Sequence, residues 1–194
     1  MRVLVIDPDK ARAELVEEGL QDVRPLEIRR AVDLATAEAQ HWDFIPDIVV
    51  IACDSPDRDT LESLHQRTEQ NPRPVVMFVD RSAPALAEAA IHAGVAAYVV
   101  GGLSAKRVRP VLEVALIRFQ VMQGLRADLA KAKADLTARA AIERAKGLLM
   151  KERGLDEEAA YGALRKLAMN SGRPLGAVAT DLIAYSTLLK GGCA

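Results

Sequence analysis

Cysteine is scarce, with two in 194 residues, Cys53 and Cys193. A pair so far apart cannot frame a small domain with disulfides and lacks metal-ligand spacing, so a reducing compartment is expected. Aromatic residues make up only 4%, and the three histidines, His41, His65 and His92, fall in expected loops or helix flanks with no matching nucleophile. That leaves an enzyme without its parts. No apolar run approaches the ~18 residues of a membrane span, and the opening MRVLVID turns polar too early for a signal peptide. These absences point to a soluble, cytoplasmic protein with no metal, no cofactor and no membrane partner.

Net charge is only −1, but it is unevenly spread. Residues 1–103 hold ten Lys/Arg against eighteen Asp/Glu, residues 104–138 seven against three, and residues 139–194 nine against six. An acidic first half joined to a basic second half suggests two jobs, with any polyanion bound by the second. Half of the chain is hydrophobic, enough for a real core.

The first hundred residues alternate between two patterns. Val3-Leu4-Val5-Ile6, a weaker Leu26-Glu27-Ile28, Ile48 to Ile51, Val75 to Val79 and Ala97 to Val100 are short continuous apolar runs, as expected of strands buried on both faces. Helix-period stretches lie between them, Lys10 to Leu20, Asp33 to Gln40, Thr60 to Glu69 and Pro84 to Ala93. That rhythm predicts a doubly wound, parallel five-stranded sheet, whose crevice lies at the carboxyl ends of the strands. Asp7-Pro8-Asp9, Ala52-Cys53-Asp54, Val79-Asp80 and Gly101-Gly102 sit there.

Val5-Ile6-Asp7, Pro46 to Ile51 followed by Pro56, Pro74-Val75-Val76, Ala93-Gly94 and Tyr98-Val99-Val100 resemble a two-component receiver domain. A working receiver would need an acidic pair for Mg²⁺, an aspartate that attacks phosphorus, and a hydroxyl and an ammonium that neutralise the phosphoryl oxygens. On this chain Asp7 matches one acid, but Pro8 replaces its partner, Ala52 the phosphoacceptor, Val79 the hydroxyl and Gly101 the lysine. The expectation is a pseudo-receiver kept as a docking and dimerising platform, with Asp54, Asp57 and Asp59 as solvated loop acids and Asp59 capping the helix from Thr60. The alternative is a displaced acidic site at Asp9 and Asp54 serving a phosphorelay.

From Ser104 the pattern predicts one helix to about Arg153, on the order of 75 Å at ~1.5 Å per residue, with Pro110 kinking or delaying its start. Met122, Leu125, Leu129, Ala132 and Leu136 recur at coiled-coil steps and predict a parallel homodimer; the other reading is a helix folded back on its own domain. Gly154 ends this helix, Asp156-Glu157-Glu158 opens a second that stops at Ser171-Gly172, and Pro174 suits the start of a third. Ala145, Leu149, Met150, Leu164, Ala168 and Met169 are expected core positions. The organisation expected is 1–120 pseudo-receiver, 121–138 coiled-coil linker and 139–194 a three-helix bundle.

Arg139, Ile142 to Met150, Glu158 to Tyr161, Leu164-Arg165, Ala168-Met169 and Leu175 to Ala179 resemble the ANTAR module of AmiR/NasR antitermination regulators. Met77 to Ser82, Ala97 to Val100 and Gly102-Leu103 are similar to the NasT-type regulators of nitrate and nitrite assimilation. The resemblance implies binding of paired stem-loops in a leader RNA, which excludes a competing terminator. It also implies a cytoplasmic nitrate- or nitrite-sensing protein that sequesters the regulator until ligand arrives. RNA binding asks for cations facing phosphates and for groups that read a loop. Arg139, Lys146, Lys151, Arg165, Lys166 and Arg173 are the candidate cations, Tyr161 a candidate stacking group, and Gly147 a place of close backbone approach or of helix packing. A DNA-reading helix-turn-helix is the other alternative, but the helix after Pro174 offers only Lys190 and Asp181 where a major-groove reader wants Arg, Asn or Gln.

Overall fold

The computed structural model describes residues 1–40 and 43–191, without the side chains of Glu38, Gln40, Leu189 and Lys190. His41 and Cys193 lie outside the described residues, as does the side chain of Lys190. Along the chain run β1 (Arg2–Ile6), α1 (Lys10–Gly19), β2 (Glu27–Ala31), α2 (Leu34–Gln40), β3 (Ile48–Cys53), α3 (Arg58–Gln70), β4 (Val75–Val79), α4 (Pro84–His92) and β5 (Val95–Val100). Three helices follow, α5 (Ala105–Arg153), α6 (Glu157–Ser171) and α7 (Leu175–Gly191). The chain divides into two units, Met1–Gln123 and Gly124–Ala194.

In the first unit the strands form one parallel sheet in the order β2-β1-β3-β4-β5, as the receiver resemblance implies. The continuous apolar runs follow from burial on both faces, because successive side chains alternate. Val3, Val5, Ile48, Val50, Ala52, Val76 and Phe78 face Ala13, Val16 and Leu20 of α1 and Val108, Leu112 and Ala115 of α5. Leu4, Ile6, Ile51, Val75, Met77 and Val79 face Ala37, Leu61, Leu64 and Ala90 on α2, α3 and α4. Gly19 ends α1 where it meets α5: a Cβ there would lie 2.5 Å from the Ala105 carbonyl oxygen and 2.7 Å from Val108 Cβ.

Two local expectations change. Helix α3 starts at Arg58 rather than Thr60, and its cap is Asp57, whose carboxylate accepts from the Thr60 N–H at 2.6 Å; Asp59 sits in the first turn instead. Helix α5 begins directly after Ser104 and runs through Pro110, so the proline does not delay it. A proline in the sixth helical position removes one N–H that would have reached back to the first turn, where few bonds depend on it.

In the second unit the end of α5, α6 and α7 enclose a small core of Ala141, Ala145, Leu164 and Ala179, flanked by Ile142, Leu149, Leu175, Leu182 and Ile183. Gly154, with φ at +64°, lets the chain leave α5, and Asp156 caps α6 by accepting from the Ala159 N–H at 2.7 Å. Gly172, in the left-handed region at φ +62°, closes α6. Two expected core residues lie outside: Met169 is 72% exposed and Met150 40%. Leu164 and Ala168 fill the inward stripe of α6, so Met169, one residue on, turns away from it. No helix among the described residues is long and apolar enough to cross a membrane.

Candidate nucleic-acid interface

The basic residues of the second unit sort by the side of the helix they occupy. At ~3.6 residues per turn, Arg139, Glu143, Arg144, Gly147, Met150 and Lys151 share the side of α5 opposite Ala141 and Ala145, and all six are exposed. On α6, Tyr161, Arg165 and Met169 recur every fourth residue along one exposed stripe, with Lys166 beside it. Among the described residues, none of Arg139, Arg144, Lys151, Arg165 and Lys166 pairs with a carboxylate, so their charges face outward. Arg144 was not expected in this set; its spacing from Gly147 and Lys151 was the available signal.

Gly147 is resolved by its surroundings. A Cβ added there would meet nothing within 4 Å, so among the described residues it packs against no other helix. Gly176 does: its added Cβ would lie 2.7 Å from Ala138 Cβ, and α7 can approach α5 only without a side chain there. Tyr161 is 43% exposed, leaving much of its ring open to a stacking partner.

Lys146, expected as an RNA contact, is engaged within the unit. It is buried, and its ammonium donates to Glu157 Oε1 at 2.6 Å and lies 2.9 Å from Glu143 Oε1. The Glu157 and Glu143 hydrogen bonds raise its pKa, and the same contact lowers that of Glu157. Lys146 therefore ties α5 to the first turn of α6. Arg173, also expected to face RNA, is exposed but ion-paired with Asp181.

The crevice of the first unit is arranged differently. Strands β1, β3 and β4 are neighbours, and each ends one residue before an aspartate: Asp7, Asp54 and Asp80. All three accept from one guanidinium, that of Arg12 in the first turn of α1. Arg12 Nε lies 3.2 Å from Asp7 Oδ2, Nη2 3.2 Å from Asp7 Oδ1, and Nη1 contacts Asp54 and, at 3.3 Å, Asp80. The Asp7 carboxylate is fully buried and also accepts the Asp9 N–H at 2.7 Å. Burial pushes the Asp7 pKa up against these contacts, whereas the Arg12 hydrogen bond holds Asp54 down.

The expected solvated loop acid Asp54 is thus an ion-pair partner, and Asp9 is committed to capping α1, accepting from Ala11 N–H at 2.8 Å. Ala52 sits in the core, 2% exposed, and Pro8, Val79 and Gly101 have no polar side chain to offer a phosphoryl oxygen. Gly101, at φ +94°, instead donates its N–H to the Val79 carbonyl at 3.1 Å. A Mg²⁺ ion does not fit here: the one matching carboxylate faces the Arg12 guanidinium with both oxygens and also accepts the Asp9 N–H, so a metal cation would meet a fixed positive charge. Among the described residues no group of three His, Cys, Asp or Glu side chains is placed to hold a metal ion. Sequence reading placed Asp7, Asp54 and Asp80 at this edge but missed Arg12, whose only signal was a basic residue one turn after the β1 carboxylate.

Comparison with known proteins follows the same division. Residues 130–183 match the ANTAR domain family. The transcriptional regulatory protein PdtaR of Mycobacterium tuberculosis is 31% identical over 125 residues, 64% of this chain and 61% of that protein. The nitrate regulatory protein of Klebsiella oxytoca is 39% identical over 77 residues, 39% of this chain and 19% of that protein. The chain thus spans less than two thirds of either relative. A CheY-like response regulator receiver domain protein from Methanospirillum hungatei superposes with a TM-score of 0.53 at 16% identity, over 62% of this chain and 97% of that one, a likeness of fold.

Proposed function

We propose that this ANTAR-domain response regulator is an RNA-binding antiterminator, which holds paired stem-loops of a leader transcript and so prevents a terminator from forming. The observation that carries the reading is the coincidence of the ANTAR match with an outward, unpaired set of cations. Arg139, Arg144 and Lys151 on α5 and Arg165 and Lys166 on α6 would meet phosphates, the open backbone at Gly147 would allow close approach, and Tyr161 would stack on a loop base. Paired stem-loops suit a pair of modules. The seam residues Met122, Leu125, Leu129, Ala132 and Leu136 are all exposed on α5 and would supply a homodimer contact.

Control in this reading comes from a protein partner, not from phosphorylation. Ala52 offers no nucleophile, and Asp54 and Asp9, the displaced candidates, are engaged with Arg12 and the α1 N-terminus. The likeness to a nitrate regulatory protein suggests a cytoplasmic sensor of nitrate or nitrite as that partner and nitrate/nitrite assimilation genes as the targets. The acidic first unit offers such a partner a surface that RNA avoids.

The test is a titration of the purified chain with an RNA carrying tandem stem-loops, beside the equivalent DNA duplex, across a range of salt. RNA-selective binding without a phosphodonor is expected. Arg165→Ala or Lys151→Ala should weaken it several-fold and flatten its salt slope by about 0.7 to 1 per lost phosphate contact. Equal or tighter binding to the duplex would refute the mechanism.

A further inference from the structure

We propose that Arg12 stands in for a divalent cation in the receiver-like unit: a tethered positive charge, bound by Asp7, Asp54 and Asp80, that fixes the three strand-to-helix connections in one metal-independent state. This goes beyond the RNA reading and does not depend on it.

Three adjacent parallel strands end in step, and the residue after each carries an aspartate, so the sheet delivers three negative charges to one edge. Like charges gathered there repel, and the Asp7 carboxylate is fully shielded from water. Such a cluster needs a cation. Arg12 supplies it from within the chain, with a side chain only 18% exposed. Asp9 places it: its carboxylate caps α1, accepting from the N–H of Ala11 and, at 3.4 Å, of Arg12, while its own N–H binds Asp7.

A guanidinium does this differently from a metal ion. It is planar and permanently charged, and it donates from several N–H groups at once. Two of its nitrogens meet both oxygens of Asp7, and the third bridges Asp54 and Asp80. Both oxygens of Asp7 and one oxygen each of Asp54 and Asp80 already accept from the guanidinium. The charge is also covalently attached, so no concentration of free metal alters its occupancy. A metal-dependent receiver gains or loses its cation with the medium, whereas this edge keeps its own. The connections after β1, β3 and β4 are held together through one side chain, which makes α1 their common anchor.

The test uses the full chain and Mn²⁺ as the probe, with binding followed by electron paramagnetic resonance of the free ion and stability followed by thermal melting at matched ionic strength. The wild-type chain is expected to bind no Mn²⁺ stoichiometrically, and its Tm is expected to be the same in Mg²⁺ and in EDTA. Arg12→Met should lower the Tm, and Mg²⁺ or Mn²⁺ should recover part of the loss, with one Mn²⁺ bound about tenfold or more tighter than by wild type. Stoichiometric Mn²⁺ binding by wild type that Asp54→Asn abolishes would overturn the proposal, as would an Arg12→Met protein of unchanged Tm that ignores metal. Should Arg12→Met fail to fold, Arg12→Lys decides. A lysine keeps the charge but not the fork, so it should fold with a lowered Tm that divalent ions do not raise; an Arg12→Lys protein with the wild-type Tm, or one whose Tm Mg²⁺ restores, would refute the role.

Discussion

The two units hold their charges in opposite ways. At the edge of the first, acids and an arginine turn toward one another: Asp7, Asp54 and Asp80 close around Arg12. On the second, Arg139, Arg144, Lys151, Arg165 and Lys166 turn outward and, among the described residues, pair with no carboxylate, while Lys146 turns inward to Glu143 and Glu157. Paired charge holds structure together and is unavailable to a ligand; unpaired charge on an exposed face contributes little to stability and is free to bind. The cores differ too. The sheet is packed with branched and aromatic side chains on both faces, whereas three of the four buried residues at the centre of the second unit's core are alanines.

The largest effects should come from those cores. Leu164→Ala removes the largest buried side chain of the helical core among the described residues, 1% exposed, and should cost ~2–5 kcal/mol, enough to unfold the second unit while the sheet keeps its circular dichroism. Phe78→Ala, at 2% exposure in the sheet, should cost ~3–5 kcal/mol and melt the first unit instead. A single shared transition in both variants would break the comparison.

The two glycines of the helical unit sharpen it further. Gly176→Ala drives a Cβ against Ala138 and should destabilise by ~1–3 kcal/mol. Gly147→Ala meets open space and should stabilise α5 by ~0.5–1 kcal/mol, yet weaken RNA binding where the backbone is approached closely. A Gly147→Ala chain that melts higher and binds RNA equally well would remove Gly147 from the interface.

Lys146 is separated from its neighbours by a paired experiment. Glu157→Gln removes the carboxylate charge from its contact with Lys146 without touching a cation. If Lys146 is structural, Lys146→Ala and Glu157→Gln should both lower the Tm of the second unit. If it instead binds RNA, Glu157→Gln should loosen it and raise affinity, and Glu143→Gln in addition should raise it further.

The smallest effects concern pH. The backbone and side chain of Thr36 hold Asp33 below the ordinary carboxylate range, the side chain and backbone of Thr60 do so for Asp57, and the Arg12 hydrogen bond does so for Asp54. A lowered folded-state pKa stabilises above the unfolded value of ~3.9, and that contribution is lost as pH falls through the folded value. Asp7 runs the other way, since burial raises it and its folded form favours the proton. Stability should therefore decline below about pH 4, and Asp57→Asn, which keeps the cap but cannot titrate, should flatten the decline in a pH series of melts.

Much of this could be read along the chain. Continuous β-branched runs gave β1, β3, β4 and most of β5, whereas β2, with Arg29 and Arg30 inside it, was caught only in part by Leu26-Glu27-Ile28; the acids and glycines gave both ends of α6, and Pro174 gave the start of α7. The residue types of the crevice, including the alanine at 52, were visible because they depend only on position relative to a strand end. Local pattern determines such features because hydrogen-bonded periodicity is a property of neighbouring residues. What the tertiary structure alone decided was pairing between distant residues. Arg12 reaches Asp54 and Asp80 only because β1, β3 and β4 lie side by side, and Lys146 meets Glu157 only because α6 turns back on α5. One lysine in a run of small residues looks the same whether it faces water or a glutamate. Its charge is written in the sequence, but the partner that uses it is chosen by the fold.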